Sequence, residues 1–112
     1  MSKLIVETIS NGDGINYPKT GQSVTIHYCA YIGQTVSDPK WDSTRDRGKP
    51  FRFKLGVGQV IKGLDMGVSQ LSIGERAKLI IPPHLGYGKD GFPSFVPPNS
   101  FLTFDVDLVS YN

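Results

Sequence analysis

The sequence has few of the residues that disulfides and membrane insertion require. Its single cysteine, Cys29, cannot form a disulfide within the chain, which favours a reducing compartment. No run approaches the roughly 18 apolar residues that a membrane span needs. Glu7 interrupts the apolar start of the chain, which argues against a signal peptide. These scarcities predict a cytoplasmic protein with no membrane partner.

Charge of one sign is scarce as well. Twelve basic and ten acidic residues leave a formal net charge of +2. The cations also alternate with acids, most densely in residues 42–47. A nucleic-acid binder needs a basic stripe that follows the phosphate backbone, so we expect no nucleic-acid partner. Residues 42–47 instead predict a local cluster of ion pairs.

Groups for nucleophilic or metal chemistry are sparse. His27 and His84 are the only histidines, and His27 lies two residues from Cys29 without a third group to orient the pair. Further metal ligands are lacking around either histidine. Residues 56–58 resemble the start of a dinucleotide-binding fingerprint, but the third glycine is misplaced and no βαβ unit is present to hold it. We therefore expect no metal, no cofactor and no covalent chemistry.

What the chain does contain is a strong strand pattern, in which apolar and polar residues alternate with period two. Such alternation indicates an antiparallel sheet with one face on the core and one face in water. Two of the segments, 23–32 and 101–109, alternate over most of their length. In the second, the apolar residues are expected to face the core, and Thr103, Asp105 and Asp107 are expected to face water. The predicted strands are Lys3 to Ile9, Ser23 to Ile32, Phe51 to Leu55, Glu75 to Ile81 and Phe101 to Val109.

A single segment has helical spacing, with apolar residues at Ile61, Leu64, Val68 and Leu71. A helix this short is not stable alone and must pack on the apolar face of the sheet. The predicted fold class is α+β, a twisted antiparallel sheet of about five strands wrapped around one short amphipathic helix. Residues 1–112 are expected to form a single domain.

The glycine- and proline-rich connections carry more aromatic and aliphatic residues than ordinary loops. The segments 56–64, 84–88 and 92–98 all show this composition. Loops normally run over the surface and are polar. If the apolar side chains of these loops converge, they line a concave site that binds by apolar contact.

Several motifs along the chain resemble those of the FKBP-type peptidyl-prolyl isomerases. The resemblance covers nearly the whole chain, in order, and is therefore specific as a set. The motifs are Val60–Val68, Gly74–Leu79, Gly86–Gly88 and Pro97–Val106, preceded by Val6–Ser10, Gly12–Gly14, Thr25–Tyr28 and Trp41–Ser43.

The resemblance implies an enzyme that isomerises X–Pro bonds in a pocket between the helix and the sheet. It also implies a monomer that binds proline-containing peptides and the macrolides tacrolimus and rapamycin, and through them calcineurin or TOR kinase. The implied binding residues are Tyr28, Trp41, Asp42, Phe51, Val60, Ile61, Leu64, Tyr87, Phe95, Val96 and Phe104. Of these, the implied catalytic set is Tyr28, Asp42, Phe51, Ile61, Tyr87 and Phe104.

Roles follow from the same resemblance. The Ile61 backbone N–H and the Tyr87 hydroxyl would donate hydrogen bonds to ligand carbonyls. The first of these agrees with the unpaired N–H groups at the start of a helix. Asp42 would orient Tyr28 or meet a ligand hydroxyl, since no proton needs to be removed.

Three positions depart from the family pattern. Leu64 stands where the pocket floor usually has tryptophan, Trp41 stands where a wall is often phenylalanine, and the segment 33–40 is about three residues longer than in the shortest members. Leu64 keeps a second reading open, a catalytically weak module that binds a proline-containing segment or regulates a partner. The otherwise complete aromatic wall favours the enzyme.

Overall fold

Six strands pair into one antiparallel sheet in residues 2–112, the part of the chain that the computed structural model describes. One main helix packs on this sheet, so the α+β class is confirmed. The strands are β1 (Ile5–Ser10), β2 (Ser23–Ile32), β3 (Lys40–Ser43), β4 (Phe51–Lys54), β5 (Arg76–Ile81) and β6 (Leu102–Tyr111). The helices are α1 (Thr44–Arg47) and α2 (Lys62–Val68), with a 3-10 turn at Pro83–Leu85.

The two ten-residue strands, β2 and β6, lie side by side near the middle of the sheet. The strand order is β1-β5-β6-β2-β3, and β4 also pairs with β2. On β2 the alternation predicted from the sequence is confirmed, because Val24, Ile26, Tyr28 and Ala30 are buried and the residues between them are half-buried. These side chains and their β6 neighbours form the centre of the core.

Helix α2 lies unusually close to β5, and two glycines make this possible. A Cβ atom added at Gly63 would be 2.4 Å from Cγ2 of Ile81, and one at Gly67 would be 2.6 Å from Cδ1 of Leu79. Glycine weakens a helix, but here any larger residue would push the helix off the sheet. The helix is shorter than the predicted segment, because the Leu71 N–H already bonds in a turn to Val68.

The sheet has one strand more than the predicted five, and a second short helix directly follows this additional strand. The additional strand, β3, pairs with β2. Helix α1 begins at the next residue because the Ser43 hydroxyl accepts a hydrogen bond from the Asp46 N–H. It ends at Gly48, whose φ of 69° is the left-handed conformation that glycine adopts without strain. Neither helix, nor the 3-10 turn, has the length of apolar chain that a membrane crossing would take in residues 2–112.

The outer face of β6 is drier than the alternation predicted. Thr103 is fully buried and Asp105 is only 8% exposed, although both were expected to face water. The Thr103 hydroxyl donates to the Gly33 carbonyl at 2.9 Å, so the loop after β2 covers it. Asp105 accepts two hydrogen bonds from Arg76, at 2.9 and 2.7 Å. A loop and an arginine side chain therefore cover this face, for which the sequence pattern indicates only polar residues.

The predicted ion-pair cluster at residues 42–47 is confirmed. Arg47 pairs with Asp42, and Lys40 pairs with Asp46 at 2.5 Å. Arg45 instead crosses to β6, where its Nη2 atom is 2.6 Å from the Asp107 carboxylate. The cluster thus ties β3 and α1 to the central strands.

Candidate functional site

A cavity of about 210 Å³ opens where the start of α2 faces β2, β4 and β6. Side chains from four strands, helix α2 and two loops converge on it, and most of them are apolar or aromatic. The lining residues are Tyr28, Trp41, Asp42, Phe51, Gln59, Val60, Ile61, Leu64, Tyr87, Phe92 and Phe104. Strand and loop residues far apart in sequence therefore meet in one concave site.

Tyr28 is the centre of the inner aromatic wall. Its ring centroid is 6.1 Å from that of Phe51, with the planes at 85°, and 5.3 Å from that of Phe104. The first pair is edge-to-face and the second is tilted. Aromatic pairs at such distances add about 0.5–1.5 kcal/mol beyond burial and favour particular ring orientations. The wall is thus preformed rather than assembled by a ligand.

The outer wall is a second aromatic group at the rim. The Trp41 ring lies edge-on to Tyr87 at 6.1 Å, and Tyr87 stacks on Phe92 at 5.2 Å. The Trp41 indole Nε1 atom is buried and has no hydrogen-bond partner in residues 2–112. An unpaired buried donor costs about 1–3 kcal/mol, so the wall is held by ring packing and not by polar contacts of the indole.

A short polar chain crosses the inner wall. The Tyr28 hydroxyl donates to the Asp42 carboxylate at 2.5 Å, and Arg47 pairs with the other oxygen of Asp42. Burial and then the Asp42 hydrogen bond raise the pKa of Tyr28 to about 12. Burial disfavours the charged form of Asp42, but the bonds from Tyr28 and Arg47 outweigh it and hold the Asp42 pKa below its ordinary value. Asp42 is therefore a fixed anion that orients a neutral phenol.

Two donors at the site are not used by the protein itself. The Ile61 carbonyl accepts from Leu64 N at 3.1 Å and from Asp65 N at 3.2 Å, whereas no hydrogen bond within residues 2–112 uses the Ile61 N–H. The Tyr87 hydroxyl has no intramolecular partner in the same residues, and its pKa is raised, first by burial and then by the charge of Asp42. Both groups remain available to a ligand oxygen.

The loop before α2 is held in place by a carboxylate on the helix. The buried Asp65 carboxylate accepts from Gly56 N at 2.9 Å and from Gly58 N at 3.2 Å. The two glycines have φ of 77° and 79°, a conformation that other residues rarely adopt. The glycine pair in this segment thus shapes a tight loop that sets the position of Val60 and Ile61.

Nine of the eleven predicted binding residues line the cavity, and two do not. Phe95 and Val96 belong to a hairpin closed by the Phe92 N–H, which donates to the Val96 carbonyl at 2.8 Å. This closure turns Val96 inward, where it is 4% exposed, and leaves Phe95 56% exposed beside Trp41. Phe92 takes the place at the rim, although the prediction passed over it.

Gln59 was also missed. Its side-chain Oε1 accepts from Lys54 N at 2.8 Å, which joins the loop before α2 to the end of β4. A polar residue in a loop carries no sequence signal for such a position. Phe92 did have one, because it begins the aromatic segment 92–98.

The remaining reactive side chains lie elsewhere. The Cys29 Sγ atom is half-buried and 3.2 Å from both Ser43 Oγ and Arg45 Nη1, on the outer face of β2. His27 contacts the Thr44 hydroxyl at 2.9 Å. Residues 2–112 contain no group of three His, Cys, Asp or Glu side chains arranged to hold a metal ion.

The chain is similar to one family of known proteins over nearly its full length. The family model described as FKBP-type peptidyl-prolyl cis-trans isomerase matches residues 14–109. The peptidyl-prolyl cis-trans isomerase Fkbp12 of Drosophila melanogaster is 55% identical over 104 residues, covering 93% of this chain and 94% of the relative. FK506-binding protein 1 of Saccharomyces cerevisiae is 52% identical over 107 residues, with coverages of 96% and 91%. The peptidyl-prolyl cis-trans isomerase FKBP1A of Xenopus laevis is 49% identical over 104 residues, with coverages of 93% and 94%.

Proposed function

The chain belongs to the FKBP-type peptidyl-prolyl cis-trans isomerases and is an enzyme of that class, and we propose that the aromatic cavity is where it binds and rotates X–Pro bonds. The observation that carries this assignment is the enclosure itself, an apolar site with two uncommitted hydrogen-bond donors at its edge. No general base or nucleophile is needed for the reaction.

Rotation about an X–Pro bond is slow because it breaks amide resonance, with a barrier of about 18–20 kcal/mol. The twisted amide has a less polarised carbonyl than the planar amide. An apolar cavity that excludes water therefore destabilises the planar form relative to the twisted one. Each 1.36 kcal/mol of this difference gives roughly tenfold in rate.

The side chains of the inner wall would hold the prolyl ring. Tyr28, Phe51 and Phe104 form a preformed aromatic surface, and Leu64 lies beneath it with only 4% of its surface exposed. Val60 and Ile61 close the side next to α2, and Trp41 closes the opposite rim. These residues would act by shape, restricting the substrate to geometries near the rotated amide.

The uncommitted donors would anchor the chain on either side of the proline. The Ile61 N–H and the Tyr87 hydroxyl each suit a carbonyl oxygen of the substrate or of a macrolide. Asp42 would keep the Tyr28 ring and hydroxyl in place, or accept from a ligand hydroxyl, without taking part in proton transfer. No step of this mechanism requires a side chain to change its protonation state.

We extend the proposal to ligands and partners. The cavity would bind tacrolimus and rapamycin as well as proline-containing peptides, in line with the FK506-binding name of the yeast relative. The exposed Phe92 and Phe95, 41% and 56% accessible beside the rim, would add to a surface that a drug-loaded protein presents to calcineurin or TOR kinase. Val96 and Phe95 would contact the macrolide from the hairpin.

We also propose the domain organisation, oligomeric state and cellular compartment of the enzyme. Residues 1–112 would act as one isomerase domain and as a monomer, since one copy of the chain supplies the whole cavity lining. The half-buried free thiol of Cys29 suits the reducing cytoplasm.

A protease-free assay of cis/trans exchange in a Leu-Pro peptide tests the proposal, with and without rapamycin. We expect catalysed exchange that stoichiometric rapamycin abolishes. Binding of the peptide and of rapamycin to the cavity without catalysed exchange would favour the alternative, a weak module that recognises proline segments. Exchange that persists with rapamycin bound would show that catalysis occurs outside this cavity.

A further inference from the structure

A long groove lies between β1, the exposed side of α2 and the 3-10 turn, and its lining shares no residue with the isomerase cavity. It consists of a cavity of about 590 Å³ and a second of about 330 Å³ that share Ser2 and His84 in their linings. We call it the N-terminal groove. Its residues are Ser2, Lys3, Leu4, Val6, Met66, Gln70, Pro82, Pro83, His84, Leu85, Gly88, Lys89, Asn99 and Phe101.

The groove has an apolar floor below a polar edge. Leu85 is 9% exposed, and Leu4 and Val6 are half-buried against the main core. Met66 faces out of α2 with 39% of its surface accessible. Methionine is a flexible apolar side chain that adapts its shape to many partners. Leu4, Val6 and Met66 therefore keep part of their apolar surface exposed in the groove.

The charges of the groove are of one sign. Lys3 lines the larger cavity and Lys89 lines the smaller one, and neither lining includes an aspartate or a glutamate. The ion pairs within residues 2–112 involve neither lysine, and the hydrogen bonds there involve neither Nζ atom. Lys40, Arg45, Arg47, Arg76 and Lys78 are paired with carboxylates elsewhere on the molecule. The other basic residues of residues 2–112 also lack a carboxylate partner, but none of them lines the groove; they are Lys19, Lys49, Arg52, Lys54 and Lys62.

We propose that the N-terminal groove binds an extended acidic segment of a partner protein whose apolar side chains alternate with carboxylates. The two lysines line different cavities that share Ser2 and His84, so an extended segment lying along the groove can meet both. The apolar floor requires side chains that reach down between the charges, as alternate residues of an extended chain do. The carboxylates supply the charge that the groove lacks.

An anionic membrane is a poorer fit to the same surface. Leu85 and Pro82 are buried at the bottom of the groove, so a flat bilayer surface would contact the rim and miss the floor. Anionic membranes also attract clustered basic residues, whereas these two lysines stand apart. Lipid binding is therefore an outcome for the experiment to exclude.

The test is an NMR titration of the full-length ¹⁵N-labelled protein with a blocked decapeptide that alternates glutamate with leucine and valine. We expect amide shifts at Leu4, Val6, Met66, His84 and Lys89, with the same affinity when rapamycin fills the isomerase cavity. A matched peptide with lysine in place of glutamate should not shift these amides at equal concentration.

The variant that tests the charges is Lys3→Glu combined with Lys89→Glu. Two reversed charges are expected to weaken the peptide complex about tenfold. The matched control is Lys19→Glu combined with Lys49→Glu, which changes two exposed lysines outside the groove by the same charge and should leave the affinity within about twofold. Isomerase activity should be unchanged in both variants, which separates this proposal from the assignment of the cavity.

Three results would overturn the proposal. The groove amides could fail to shift at millimolar acidic peptide. The control variant could lose as much affinity as the groove variant, which would reduce the effect to overall charge. Vesicles of phosphatidylcholine and phosphatidylserine could shift the groove amides where the peptide does not, which would make an anionic lipid surface the occupant.

Discussion

Strands β2 and β6 carry two unlike surfaces on opposite sides of one sheet. On the inner side Tyr28 and Phe104 form the aromatic wall of the cavity. On the outer side the neighbouring Asp105 joins Arg76 and Arg45 in a network of ion pairs. Adjacent residues such as 104 and 105 therefore contribute to surfaces of different chemistry.

The difference lies in how each surface holds its shape. The rings on the inner side are packed against each other, and a void there cannot be refilled by water without loss of contact. The arginine side chains on the outer side are partly solvated, so water can replace a lost partner of Arg45 or Arg76. Inner substitutions are expected to change both function and stability, and outer substitutions stability alone.

The largest effect is expected from Phe104→Ala. The side chain is 4% exposed, and removing a buried phenylalanine ring typically costs about 3–5 kcal/mol of unfolding free energy. Urea unfolding and the Leu-Pro assay on the same sample measure the two losses. Val109→Ala is the control, since it is 47% exposed on the same strand and should change neither. If Phe104→Ala were fully active and fully stable, the role given to Phe104 in the aromatic wall would be wrong.

The next effect concerns the floor, with Leu64→Trp. A tryptophan buries roughly 150–250 Å² and gives the ring of a macrolide a flat surface to lie on. We expect rapamycin to bind about tenfold more tightly, equal to about 1.4 kcal/mol. Met66→Trp adds the same side chain to the exposed side of α2 and should leave the affinity unchanged. Equal or weaker binding by Leu64→Trp would mean that Leu64 is not the floor.

A smaller change is expected from Tyr87→Phe at the rim. The substitution removes the hydroxyl and keeps the ring that stacks on Phe92. A lost hydrogen bond to a ligand carbonyl costs about 0.5–1.5 kcal/mol, so macrolide affinity should fall by about two- to tenfold. Isomerisation should slow less, because the wall is intact. Titration calorimetry and the exchange assay compare the two, and equal losses would contradict the role given to the hydroxyl.

On the outer face, Asp105→Asn tests the other half of the comparison. The amide keeps the shape but loses the charge that pairs with Arg76 at 2.7 Å. Because the arginine side chain is 45% exposed, we expect a loss of only about 1 kcal/mol in unfolding free energy. The loss should shrink in 1 M salt. Isomerase activity should stay at the parent value. A large drop in activity would show that the outer ion pairs also affect catalysis in the cavity.

The smallest expected effect is that of pH on catalysis. The pKa of Asp42 is lowered and that of Tyr28 is raised to about 12, so both keep their charge state between about pH 6 and 8. The exchange rate should be flat across this range. The stability that Asp42 adds is complete above about pH 4 and is lost as pH falls through its lowered folded pKa. A bell-shaped rate profile near neutrality would require an acid or base that this mechanism does not contain.

The sequence carried the fold class and most of the cavity because both rest on patterns of apolar spacing. The alternation of β2 pointed Tyr28 inward, and the helical spacing placed Leu64 on the face that meets the sheet. Strand β3 has only four residues and no alternation of its own, so it could not be found that way. It is held by pairing with β2 and by the contacts of Asp42 with Tyr28 and Arg47, none of which shows in the residue pattern of the strand itself.

The remaining differences are also tertiary in origin. Thr103 and Asp105 are polar residues at alternating positions, and only the loop at Gly33 and the side chain of Arg76 bury them. The roles of Phe92 and Phe95 depend on how a five-residue hairpin closes. Helix α1 did have a local signal, a serine three residues before an aspartate with a glycine following.

The aromatic rim has an optical consequence. Trp41 is the only tryptophan of the chain, so light absorbed at 295 nm excites a single indole, and that indole lines the cavity. Its emission depends on the polarity around a ring that a ligand would cover. The enzyme therefore carries its own fluorophore at the rim, and occupancy can be followed by the colour and intensity of its emission without a label.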